Sequence, residues 1–152
     1  MRIEITEVTR ENWDDALRLA VAPAQQEFVP SVMESVAEAY IRPHEKEIVT
    51  PYAIYADGQM VGFFAYSSEP ESADNYWING FLIDRRFQGR GYGKAAFGAI
   101  LEHVRATFPQ CRRVGLTVCP DNQLARRLYE GFGFRNTEEL YQGELVHYLD
   151  FA

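Results

Sequence analysis

The segment Gln88-Gly89-Arg90-Gly91-Tyr92-Gly93 narrows what this chain can fold into more than any other stretch. It lies between an apolar run, Trp77 to Ile83, and a stretch of helical periodicity that begins near Gly91. Glycines at alternate positions remove the Cβ atoms that would hold a ligand away from the backbone. A helix starting inside such a loop adds unpaired N–H groups and the positive end of its dipole. Strand, glycine bend and helix in that order make a seat for phosphate. Arg85, Arg86, Arg90 and Lys94 surround it in a chain whose formal net charge is −7. That local reversal of charge points to an anionic ligand.

Spacing separates the kinds of phosphate loop. A nucleotide-triphosphate loop requires Gly-Lys followed by Ser or Thr, whose hydroxyl holds magnesium. Here Ala95 follows Gly93-Lys94, so that reading fails. A dinucleotide fingerprint needs G-x-G-x-x-G near the first strand. The glycines at 89, 91 and 93 are spaced differently and lie past the middle of the chain. The remaining pattern is Q/R-x-x-G-x-G/A, which Gln88, Gly91 and Gly93 match without a gap. A second segment follows at Asn122-Gln123-Leu124-Ala125-Arg126-Arg127-Leu128-Tyr129, then Glu130-Gly131-Phe132-Gly133-Phe134. With both segments in order and a strand between them, the chain resembles the GNAT superfamily of acyl-CoA-dependent N-acyltransferases. The resemblance is tight over the last half and rests on the order of strands and helices in the first. It implies an α/β fold with a mixed, mostly antiparallel sheet of about seven strands flanked by about four helices. Residues 1–152 would form a single acetyltransferase domain using acetyl-CoA as co-substrate.

Composition sets bounds on the alternatives. At 152 residues, 47% of them hydrophobic, the chain fits one globular unit with a substantial core. The acidic balance argues against a nucleic-acid binder, which would present a basic face. It suits a cationic small-molecule substrate, because an acidic cleft concentrates amines. No apolar run is long enough to cross a bilayer, so no membrane partner is expected. The N-terminal Met1 to Glu7 alternates like a strand and lacks the apolar stretch of a signal peptide. A cytoplasmic protein with reduced Cys111 and Cys119 is expected. His44, His103 and His147 are scattered, so no metal site is expected.

The elements read as strand, two helices, three strands, helix, strand, helix, two strands. Ile3 to Val8 alternates as a strand, and Asn12 to Leu19 forms a short helix with Trp13, Ala16, Leu17 and Ala20 inward. Ser31 caps a helix running to about residue 40. Tyr52–Ala56 and Met60–Tyr66 flank the turn Asp57-Gly58, and polar Ser67 to Asn75 reads as a loop. Phe97, Ile100, Leu101, Val104 and Phe108 recur at helical spacing until Pro109. Val114–Val118 is a buried strand, Asp121-Asn122 opens the next helix, and two strands meet at Gln142-Gly143.

Acyl transfer from a thioester to an amine needs a base for the ammonium, donors for the carbonyl oxygen and a proton for the departing thiolate. The resemblance assigns Gln88, Gly89, Arg90, Gly91, Tyr92, Gly93 and Lys94 to the pyrophosphate. It assigns backbone groups of Phe81, Leu82 and Ile83 to the pantetheine arm, in a gap between Trp77–Ile83 and Arg113–Val118. It further places Asn122 and Ala125 along the cofactor. Tyr129 is the expected general acid, since a phenol with an ordinary pKa of about 10 suits a departing thiolate. Where many relatives carry a carboxylate on the strand before the loop, this chain has Asn79, and an amide takes no proton at neutral pH. A water relay ordered by Asn79, or a carboxylate from a loop, is left for that role.

Gln25 to Val29 and the closing hairpin Tyr141-Gln142-Gly143-Glu144 resemble the bacterial polyamine acetyltransferases. Glu34 and Glu38 stand one helical turn apart, where both could meet a spermidine or spermine cation. Glu69, Glu71 and Asp74 add charge in a loop that could border the same mouth. Other acceptors remain open: a protein N-terminus, a lysine or an aminoglycoside. Because a strand carboxylate is missing, a catalytically silent CoA-binding sensor also remains open. A homodimer is what the resemblance implies for assembly.

Overall fold

The computed structural model describes residues 1–151. In chain order the elements are β1 (Ile3–Glu7), α1 (Trp13–Leu17), α2 (Val32–Ile41), β2 (Ile48–Ala56), β3 (Gln59–Ser68) and β4 (Tyr76–Ile83). There follow α3 (Tyr92–Thr107), β5 (Arg113–Val118), α4 (Gln123–Gly131), β6 (Arg135–Tyr141) and β7 (Glu144–Asp150). Short 3-10 turns occupy Pro23–Gln25 and Arg85–Phe87. The strands form one seven-stranded sheet ordered β1-β2-β3-β4-β5-β7-β6. Every neighbouring pair is antiparallel except β4 and β5, which run parallel. The mixed, mostly antiparallel sheet with four helices is the architecture expected from the sequence.

Local chemistry accounts for most of these elements. Ser31 caps α2 reciprocally: its hydroxyl accepts from the Glu34 N–H at 3.1 Å, and the Glu34 carboxylate accepts from the Ser31 N–H at 3.2 Å. The hairpins at Asp57-Gly58 and Gln142-Gly143 have positive φ at both central residues, the twist that matches flanking strands. Differences from the sequence reading are confined to edges. Ser67 and Ser68 belong to β3, with partners on both sides: Val49 and Ile48 in β2, Trp77 and Tyr76 in β4. Pairing overrode their polarity. Strand β2 starts at Ile48, four residues early, and runs through Pro51. Proline is tolerated there because the Pro51 carbonyl faces β1's end, accepting from Val8 at 2.9 Å, so its ring nitrogen faces where β1 pairing stops. In the first helical segment Leu19 is buried, whereas Trp13 is 49% exposed.

Two cores sandwich the sheet. On one side Ala16, Leu19 and Val32 pack on Phe63, Ala65 and Leu82. On the other, α3 presents Phe97, Ile100 and Val104 to Phe64, Tyr66, Ile78 and Leu116. Phe97 anchors the second core, with ring centroids 5.0 Å from Tyr129, 5.3 Å from Phe132, 5.5 Å from Phe81 and 5.7 Å from Phe134. Burying such a ring contributes about 1.5–3 kcal/mol. Here it also ties α3 and α4 together and thereby fixes where Tyr129 stands.

Candidate active site

Strands β4 and β5 meet in register at Trp77 and Gly115 and nowhere further along. The Trp77 ring lies against Gly115, where an added Cβ would come within 2.6 Å of it. Beyond that contact the strands part, and the backbone of Phe81, Leu82 and Ile83 is left without β5 partners. A bulge sets the divergence. Register against β3 slips between Ala65, opposite Asn79, and Phe63, opposite Leu82. The intervening Gly80 has φ +62, a left-handed conformation that favours glycine. Its Cα faces α2 so closely that a Cβ would sit 2.7 Å from the Ser35 hydroxyl. The gap opens into a cleft of about 1360 Å³, large enough for an extended cofactor arm together with a second substrate.

At one end of the cleft stands the glycine loop. Gly91, with φ +85, is the N-cap of α3 and offers no side-chain acceptor to the first-turn N–H groups. By contrast Ser31 caps α2 and Asn122 caps α4, its Oδ1 accepting from the Ala125 N–H at 3.3 Å. The uncapped start of α3 is thus free to hold an anion. Cβ positions at Gly89 and Gly91 meet no protein atom within 4 Å, so the loop's outer surface is open to a ligand. These features fit the pyrophosphate of acetyl-CoA.

The loop is held from below. The Asp84 carboxylate, 2% exposed, accepts from the Ala20 N–H at 3.0 Å, the Arg86 N–H at 2.9 Å and the Arg86 Nε at 2.8 Å. Burial by itself would raise this carboxyl, but those hydrogen bonds and the guanidinium charge hold it below the usual carboxylate range. The Gln88 amide donates to the Ile83 carbonyl at 2.8 Å and to the Gln25 side chain at 2.9 Å, which closes the bend onto β4.

Tyr129 enters from α4. The residue is 8% exposed, and burial pushes its phenol up, with the Glu144 carboxylate adding to the effect. Among the described residues its hydroxyl has no hydrogen-bond partner, and the residue lines the cleft. A buried, protonated phenol facing the gap can donate a proton. Away from the loop the lining turns acidic: Glu38, Glu47, Asp121, Glu139 and Glu144 face the cleft, against Arg42 and Lys94. Arg42 is already engaged by Glu38 at 3.6 Å.

The structure brings together most of the residues singled out in the sequence. Asn79, Phe81, Leu82, Ile83, Gln88, Gly89, Gly93, Lys94, Asn122, Ala125, Tyr129 and Glu38 line the cleft. Arg90, Gly91 and Tyr92 form the outer turn of the loop, and Tyr92 packs edge-on against Phe87 with centroids 6.0 Å apart. Glu34 stands apart: its carboxylate serves the α2 capping box and does not line the cleft. Nor does the loop of Glu69, Glu71 and Asp74; Glu69 lies 3.7 Å from His44, and Asp74 is 3.9 Å from Arg113. Sequence reasoning passed over Gly80, although an isolated glycine in a strand pattern is a bulge signal. It also passed over Asp84, whose position before Arg-Arg marks an Asx turn, and over Glu47 and Glu139, while Asp121 and Glu144 were read only as a helix start and as part of the closing hairpin. No group of three or more His, Cys, Asp or Glu side chains that could hold a metal occurs among the described residues, nor any helix long and apolar enough to cross a membrane.

Against known proteins, a family model described as "Acetyltransferase (GNAT) family" matches residues 8–134. The spermine/spermidine N(1)-acetyltransferase of Bacillus subtilis (strain 168) is 34% identical over 152 residues, spanning 96% of this chain and 97% of its own. An aminoglycoside acetyltransferase in complex with coenzyme A superposes with a TM-score of 0.75 at 19% identity, covering 98% of this chain and 95% of the other. Vibrio cholerae spermidine N-acetyltransferase, in complex with CoA and spermine, gives a TM-score of 0.69 at 17% identity, with coverage of 97% and 95%. The last two speak for the fold. This chain belongs to the GNAT family and is an acetyl-CoA-dependent N-acetyltransferase.

Proposed function

We propose that the enzyme, as a single domain over residues 1–152, acetylates a primary amine of a polyamine or diamine such as spermidine or spermine. The observation that carries this reading is the acidic end of the cleft. Five carboxylates, Glu38, Glu47, Asp121, Glu139 and Glu144, face a volume whose cations are Lys94, beside the phosphate loop, and Arg42, already paired with Glu38. Such a lining attracts multiply charged amines and repels anions. The Bacillus relative named for spermine and spermidine supports the same substrate class.

In this reading the uncapped start of α3 and the loop from Gln88 to Lys94 hold the pyrophosphate. The free edge of Phe81, Leu82 and Ile83 pairs with the pantetheine amides, beside Asn122 and Ala125. Asn79 and Glu38 border the acceptor, and Tyr129 returns a proton to sulfur. Glu34 acts indirectly, by fixing the α2 turn from which Glu38 projects. The enzyme works in the cytoplasm, assembling as a homodimer, without nucleic acid or membrane.

A thiol-release assay with acetyl-CoA tests the reading across spermidine, spermine, putrescine, an aminoglycoside and a peptide N-terminus. The polyamines should give the highest kcat/KM, and Glu38→Gln combined with Glu47→Gln should raise their KM at least tenfold. A preference for the peptide or the drug, or an unchanged KM, would overturn the polyamine assignment. Acetyl-CoA binding without thiol release for any amine would mark a sensor.

A further inference from the structure

We propose that Glu144 is the group that takes the proton from the acceptor ammonium. The proposal rests on the acetyl-transfer reaction and not on the polyamine assignment. The reaction needs a base, and β4 (Tyr76–Ile83) supplies none, since it carries no Asp, Glu or His. Glu144 begins β7, whose Glu144, Val146 and Tyr148 all line the cleft while Leu145 and Leu149 pack into the core behind. One carboxylate oxygen accepts from the Thr117 hydroxyl on β5 at 3.0 Å. Thr117 lies on the second wall of the gap, beyond the point where β4 and β5 part. Among the described residues no Arg, Lys or His pairs with Glu144, so its second oxygen is available to a substrate.

The surroundings are consistent with this role. Glu144 acts on Tyr129 from α4 and on Cys119 after β5, which also feels Asp121 and Glu27; Tyr141 of β6 pairs with Glu144, and Glu139 of β6 lines the same cleft. The Tyr129 phenol and the Cys119 thiol are both pushed up by burial and by the Glu144 charge, so Glu144 stands close to each. Both stay protonated at neutral pH, which leaves the carboxylate as the basic partner. Acid and base thus line one cleft.

The proton and electron balance closes. Glu144 takes a proton from the ammonium, giving the free amine and a carboxylic acid. The nitrogen lone pair forms the N–C bond to the thioester carbon. The C–S bond breaks with its electron pair on sulfur, and sulfur takes the Tyr129 proton. The surplus proton on the new amide nitrogen returns to the phenolate, and Glu144 releases its proton to water.

The test compares wild type with Glu144→Gln from about pH 6 to pH 10, using the amine from the acceptor panel that wild type acetylates fastest. Glutamine preserves size and the Thr117 hydrogen bond but accepts no proton. Near neutral pH, kcat/KM should fall roughly 10²–10⁴-fold. The deficit should shrink toward tenfold as the amine nears its own pKa of about 10.4 and deprotonates in solution. Thr117→Val should lower kcat/KM in the same direction by less, and Cys119→Ser should leave the pH profile unchanged. Calorimetry should show acetyl-CoA bound equally well by all variants. A deficit that stays constant with pH, a deficit below about threefold, or loss of acetyl-CoA affinity in Glu144→Gln would each overturn the assignment. The acceptor panel and the Glu38, Glu47 double variant decide the polyamine reading without touching Glu144, so the two failures are distinguishable.

Discussion

Replacing Gly80 with alanine tests whether the bulge in β4 is held by backbone conformation or by packing. At φ +62 an alanine is strained by roughly 1–2 kcal/mol. Its Cβ would also sit 2.7 Å from the Ser35 hydroxyl, well inside contact distance, while Ser35 Cβ at 3.6 Å is an ordinary neighbour. A hydroxyl can rotate away, so this second cost should stay below about 1 kcal/mol, less than typical overpacking. Backbone strain therefore dominates, and Gly80→Ala should lose about 2 kcal/mol in urea unfolding, lowering Tm by about 4–8 °C for a chain of this size. In a Ser35→Ala background at least half of that loss should remain, because Ser35→Ala removes the close oxygen and leaves φ untouched. Acetyl-CoA affinity should drop in both backgrounds, since the same bulge turns Phe81, Leu82 and Ile83 toward the gap. If the loss vanishes in the Ser35→Ala background, sterics hold the bulge and the backbone argument fails. A loss below about 0.5 kcal/mol in wild type would refute both parts, because a surface-like tolerance is incompatible with either.

Tyr129→Phe should lower kcat by roughly 10²–10⁴-fold while leaving acetyl-CoA affinity within about threefold, read from steady-state kinetics and calorimetry. Because burial raises the Tyr129 phenol, the acid stays protonated, and the wild-type kcat profile should show no alkaline loss until above the ordinary phenol value of about 10. Gly91→Ala, at φ +85 with open space around its new Cβ, should weaken acetyl-CoA binding at least tenfold in calorimetry; unchanged affinity would place the anion elsewhere. Asp84→Asn should cost about 1.5–3 kcal/mol in urea unfolding at pH 7, because charge-assisted hydrogen bonds to Ala20 and Arg86 are lost. The native carboxyl lies below its unfolded value of about 3.9, so its stabilisation is present above that pH and disappears as pH falls through the native value. The gap between wild type and Asp84→Asn should therefore close in strong acid.

Much of this protein is written in short-range chemistry. The Ser31 and Asn122 caps, the Asp57-Gly58 and Gln142-Gly143 turns, and the Phe97, Ile100, Val104 stripe each depend on residues a few positions apart. Their conformations follow from local sterics and hydrogen bonding, so the order of elements and the glycine loop were legible directly. Ser67 and Ser68 were not, because their strand state comes from partners 18–20 residues before and 8–10 residues after them, not from their own preference.

The site divides in the same way. Its phosphate end is a contiguous stretch, Gln88 to Lys94, whose glycine spacing alone predicts an open loop ahead of a helix. The acidic end of the cleft is assembled across the sheet. Glu38 faces the cleft while Glu34, on the next turn of the same helix, is taken up by the Ser31 cap. Glu144 reaches the gap because β7 inserts between β5 and β6, which puts it beside Thr117, 27 positions earlier. Strand order and register decide such encounters, and they are settled by which faces the whole chain can bury together. The sequence by itself determined the glycine loop ahead of a helix, because its residues are contiguous, whereas only the folded sheet decided which carboxylates line the cleft.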